Sequence, residues 1–143
     1  MSISSTTNIM LPLIWAGVAL GGNIVAAPAK FQVESLKMPV ALQVGRAQFT
    51  WIGYVEWAIL ACLVILVVIQ FVRPSIWLLA AIAIFLAQQL WMQPILEAKS
   101  DLIIKGATAP EGKFHVYFIA AEILKFSLLL IAATINLRHE HLG

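Results

Sequence analysis

Hydrophobic residues in this chain come in long blocks rather than in the alternating or 3.6-residue stripes of water-facing elements. A bilayer hydrocarbon core of about 30 Å takes roughly twenty apolar residues in a helix, and four charge-poor stretches have that length: residues 9–29, 50–72, 75–96 and 114–137. The pattern therefore predicts an all-α polytopic membrane protein, with four transmembrane helices in one antiparallel bundle covering residues 1–143. Arg73-Pro74 separates the second and third stretches, and Pro74 suits the first turn of the next helix, giving a tight helical hairpin. Residues 97–113, with Lys99, Asp101, Lys105, Gly106, Pro110, Glu111 and Gly112, read as a charged connection. Residues 30–48 are neither apolar enough to span nor polar enough for a plain linker. An interfacial elbow is expected there, with Pro39 opening a helix that runs into the second span.

Composition narrows the class further. Of 143 residues, 62% are hydrophobic and 11% charged, too few charges for a soluble domain, a disordered segment or a nucleic-acid-binding surface. The net charge of +2 is too small to imply an anionic partner by itself. Cys62 is the single cysteine, so neither an intramolecular disulfide nor a cysteine metal cluster can form. The first stretch differs from a secretory signal: no Lys or Arg precedes it, and Pro28 stands in the Ala27-Pro28-Ala29 segment where cleavage would occur. It is expected to be a true span. No repeat, phosphate loop, serine-nucleophile motif or paired-cysteine motif occurs.

Lys and Arg resist translocation, so their distribution predicts orientation. Lys30, Lys37, Arg46, Lys99, Lys105 and Lys113 fall on one side, and Arg73 and Arg138 on the other. The two long loops are expected to be cytoplasmic and both termini outside. Trp15, Trp51, Trp77 and Trp91 lie near span ends and read as interfacial anchors. Gly17 and Gly21 form a small-xxx-small pair on the first span, with Ala16, Gly22 and Ala26 nearby, where another helix can approach closely. That partner is internal or belongs to another subunit; a homo-oligomer or a larger membrane complex is the expectation.

The informative residues are those that lipid should exclude. Asn23, Glu56, Gln88, Gln89, Glu122 and Lys125 fall inside the expected spans, where an ionisable group must be paired, solvated or buried in the bundle. At about 1.5 Å per residue, Asn23 and Glu56 lie about 9 Å from the loop end of their spans, Gln88, Gln89 and Glu122 about 12 Å, and Lys125 about 17 Å. All four helices thus contribute polarity at one level. His115 and Glu122 share a face of the last helix, seven residues apart. Lys125, three residues beyond Glu122, can form a self-contained pair with it, whereas Glu56 has no local cation and needs one from elsewhere, Lys125 or His115. A metal is a weaker reading: His115, Glu56 and Glu122 offer ligands without the usual short spacings. The terminal His139-Glu140-His141 run offers only adventitious binding.

Two resemblances follow from short motifs. Trp15-Ala16-Gly17, Ala27-Pro28-Ala29-Lys30-Phe31, Val44-Gly45-Arg46 with Phe49, Gln93-Pro94 and His115-Val116-Tyr117 together resemble an uncharacterised family of four-helix bacterial membrane proteins with distant animal transmembrane relatives. That resemblance implies a four-helix fold in a bacterial inner membrane and no assigned chemistry. Lys37-Met38-Pro39 followed by Arg46-Ala47-Gln48 and Tyr54 looks like the segment entering the second helix of the MAPEG membrane glutathione enzymes. This second resemblance implies a trimer with Arg46 binding glutathione. Thr50 and Gly53 depart from that family's asparagine and glutamate.

The leading expectation is a non-enzymatic membrane protein with a polar intramembrane site. Asn23, Glu56, Gln88, Gln89, His115, Glu122 and Lys125 would serve transport or binding of a proton, cation or small polar ligand. The competing readings are an accessory structural subunit, whose polar residues lock helix packing, and the glutathione-dependent enzyme.

Overall fold

The computed structural model describes residues 5–142 of the chain. Four helices are long and apolar enough to cross a bilayer, the architecture of an integral membrane protein: α1 (Thr6–Gln32), α2 (Met38–Gln70) and α3 (Ile76–Ile104), followed by α4 (Phe114–Leu142). No strand occurs among the described residues. α4 packs along both α1 and α3, while α2 lies against α1 and the C-terminal half of α3.

The helix ends follow from local chemistry. Lys37 is extended (φ −61°, ψ 145°), and Pro39 occupies the first turn of α2, where its missing N–H leaves no bond unmade. The expected elbow over 30–48 therefore shrinks to residues 33–37, because α1 continues to Gln32 and α2 is already helical at Met38. α2 stops at Phe71, whose left-handed backbone (φ 51°) is the one positive-φ non-glycine position among the described residues. Pro74 precedes α3 rather than sitting in its first turn. Ser75 caps α3, its Oγ accepting from the Leu78 N–H at 3.3 Å. Ser75→Ala should cost about 1 kcal/mol, read as a lowered unfolding midpoint with unchanged helix content.

The polar run expected to be loop from 97 is helical to Ile104. Its charges are held rather than free. Arg46 of α2 pairs with Asp101 at 2.7 Å and donates to the Glu97 carbonyl at 3.3 Å, and Lys99 donates to the Gly112 carbonyl at 3.4 Å. These contacts also show that the α1–α2 and α3–α4 connections lie at the same end of the bundle.

Three π-helical stretches interrupt the regular winding, at Thr6–Met10, Ala19–Ala26 and Gln88–Met92. Each lies just before a proline: Pro12, Pro28 and Pro94. Proline cannot donate to the carbonyl four residues back, and its ring crowds that carbonyl, so the preceding turn widens to re-satisfy its backbone groups. Across helices, Gln48 contributes by donating its amide to the Gly22 carbonyl at 2.5 Å.

Along the bundle axis the interior forms three layers. Toward the α2–α3 hairpin, Trp15, Ala16, Ile59, Leu63, Leu78, Ala81, Phe85, Leu129 and Ala132 make a closed apolar core. A charged layer comes next. Nearest the long connections, all four helices line a cavity of about 240 Å³. The outward face is apolar, with Leu13, Val55, Ile65, Val68, Leu79, Ile123 and Cys62 exposed, as lipid contact requires.

Candidate functional site

Lys125 stands at the centre of the charged layer. Its Nζ lies 2.5 Å from Glu56 Oε1 and 3.1 Å from Glu122 Oε2, tying α4 to α2 as well as to its own preceding turn. The self-contained Glu122–Lys125 pair considered from spacing alone is thus a three-residue bridge, and Lys125 is the cation that Glu56 lacked. The Trp15 indole N–H donates to the same Glu56 oxygen at 2.8 Å. Glu122 receives two amides besides: Asn23 Nδ2 donates to its Oε1 at 2.9 Å and Gln88 Nε2 to its Oε2 at 2.8 Å. Side chains from all four helices therefore converge. Glu56, Gln88, Glu122 and Lys125 are 1–2% exposed.

Glu56 meets two donors and Glu122 three, which is what keeps charge tolerable in a medium of low dielectric. The Lys125 ammonium also lies 5.5 Å from the Phe85 ring centre. Phe85 in turn meets Trp15 and Trp57 edge-on, at 5.2 and 5.1 Å between ring centres. An aromatic seal thus closes the charged layer on its core side.

Asn23 and Gln88 reach Glu122 from within the π-helical stretches that precede Pro28 and Pro94. A π turn adds a residue and so re-aims the side chains around it, a feature frequent at functional sites. Proline thereby helps position both amides.

On the other side of Glu122 lies the cavity. Asn23 and Glu122 form part of its lining; Phe49, Phe118, Ile119, Leu42 and Leu96 are among its apolar walls; Lys30, Arg46, Glu97 and His115 lie around its long-loop end. Among the described residues, the polar side-chain atoms buried without a partner include Asn23 Oδ1, Arg46 Nε, Gln93 Oε1 and Gln88 Oε1. The first three belong to cavity-lining residues.

Two expected site residues stand apart from the network. Gln89 turns toward α2, where the absent side chain of Gly53 makes room for its amide. His115 is exposed and lines the cavity without bonding to Glu56 or Glu122. Arg46 is held by Asp101. Trp15 corrects the reading of the tryptophans: it is 0% exposed and hydrogen-bonded inside the bundle, whereas Trp51, Trp77 and Trp91 lie outside. Depth from the span end could not distinguish them, because the indole's direction depends on which helix packs over it. Gly17 and Gly21 have open space around them, while Gly22 packs on Ile52. No group of three or more His, Cys, Asp or Glu placed to hold a metal occurs among the described residues. The Glu140 side chain of the terminal histidine run lies outside them.

Comparison with protein-family models, with curated proteins and with solved structures finds no match for this chain.

Proposed function

We propose that this membrane protein binds a small ligand within its bundle, in the cavity that ends on Asn23 and Glu122. The observation that carries the reading is the continuity of that cavity with the charged layer. Polar groups are costly inside a bilayer and mark ligand or ion sites when they line a space rather than fill one. Here one face of Glu122 is engaged by Gln88 and Lys125, while Asn23 and Glu122 border open volume. Unpartnered polar atoms on the same walls support a ligand that completes their hydrogen bonds.

The site is one-sided. Trp15, Phe85, Leu78 and Leu63 close the bundle beyond Glu56, so binding is favoured over passage through the membrane. The lysine and arginine distribution supports a cytoplasmic mouth and outward termini. Structural locking is favoured by a specific observation for the inner half alone, where Trp15, Glu56 and Lys125 are buried against one another. The open Gly17 and Gly21 face leaves room for another copy or subunit.

Cysteine accessibility tests the cavity. In a Cys62→Ala background, Ala27→Cys and Ile119→Cys should react with a hydrophilic, membrane-impermeant maleimide from one side of a sealed vesicle. Leu78→Cys in the core and Ile65→Cys on the lipid face should stay unlabelled. Reaction at 27 and 119 no faster than at 65 would remove the water-accessible cavity.

A further inference from the structure

The cavity has an uneven charge pattern, and one cation in it has no anion. Arg46 is neutralised by Asp101, and Glu97 accepts from Gln93 at 3.2 Å. Among the described residues, no carboxylate lies within salt-bridge distance of Lys30. Its ammonium is instead placed 5.2 Å from the ring centres of both Phe31 and Phe49, a half-buried position between aromatic faces. The end of the Lys30 side chain rests over Gly45, in space that a larger residue there would take from it. His115 from α4 lines the same cavity.

Beyond Lys30 the walls turn apolar: Phe49, Phe118, Ile119, Leu42 and Leu96. Lys30 and Asn23, seven residues or about two turns apart on α1, both line the cavity, which therefore holds a cation and a polar amide at different levels. Resting on the cavity reading above, we infer that the ligand is an amphipathic organic anion, its carboxylate or phosphate head at Lys30 and its hydrocarbon part against Phe49 and Phe118. An unpaired ammonium in a space of lowered dielectric attracts an anion more strongly than in water. The apolar walls exclude a purely inorganic ion as the preferred occupant, since such an ion would leave them facing water. A small organic cation is disfavoured at the mouth by Lys30 and finds Glu122 already supplied with donors.

The test uses the full chain in nanodiscs of zwitterionic lipid, with laurate as probe and dodecanol as the uncharged molecule of equal chain length. Laurate should slow maleimide labelling of Ile119→Cys (Cys62→Ala background) in a saturable way, and dodecanol should not. Lys30→Gln should weaken laurate protection at least about tenfold, the loss expected for one charge-assisted hydrogen bond. The unprotected labelling rate, unchanged in that variant, reports that the cavity is still formed. Nanodiscs containing phosphatidylglycerol distinguish the sources: competition with laurate identifies a lipid head group as the natural anion, and no competition a free amphiphile. Equal protection by laurate and dodecanol, or indifference to Lys30→Gln, would overturn the anion assignment. Labelling without any protection would do the same while leaving the cavity itself intact.

Discussion

Lys125→Met is expected to destabilise the bundle by about 3–5 kcal/mol, because it leaves two carboxylates buried without their cation. Glu56 loses the partner at 2.5 Å and keeps only the Trp15 donor; Glu122 keeps Asn23 and Gln88. The damage should therefore fall mainly on Glu56. Adding Glu56→Gln to Lys125→Met removes the orphaned charge, and the double variant should recover most of the loss. Unfolding midpoints in detergent and steric trapping in bilayers measure both variants. A Lys125→Met protein as stable as the parent would mean that the bridge contributes no net stability, and equal loss in single and double variants would place the cost in packing instead.

Trp15→Ala should be comparably severe, about 3–5 kcal/mol, for a different reason. The indole is completely enclosed, meets Phe85 edge-on and hydrogen-bonds Glu56, so truncation opens a cavity beside a charge. Lipid supplies no hydrophobic drive between helices, which leaves close packing and hydrogen bonds as the forces at stake. Trp15→Phe separates the two contributions. It retains most of the ring contact and loses the N–H, and should cost about 1.5–3 kcal/mol as a hydrogen bond to a charged group. Thermal unfolding of the pair decides the matter: identical midpoints for Trp15→Phe and the parent would show that the indole serves packing alone.

These two positions show where sequence reading succeeds and where it stops. Lys125 and Glu56 announce themselves, since ionised groups in apolar blocks must find each other or water. Trp15 does not, because an indole near a span end suits a lipid interface and a core equally well. Lys30 counted toward a cytoplasmic loop, but its lack of a carboxylate partner and its place between two rings are properties of α1 and α2 together. Pro28 and Pro94 were visible as residues, yet their effect on Asn23 and Gln88 needed the backbone, because a widened turn re-aims side chains that ideal helical geometry places elsewhere.

The sequence by itself determined the number of helices, their apolar character and the presence of charge within the spans, because hydrocarbon penalises every unpaired polar group along a span of known length. Polar content at a given depth says nothing about azimuth. Only tertiary packing decided that Lys125 bridges two carboxylates, that Gln89 turns away to Gly53, that Trp15 seals the core and that the volume beyond Glu122 stays open. Those outcomes depend on how four helices rotate against one another, and each rotation is fixed by contacts between residues far apart in the chain.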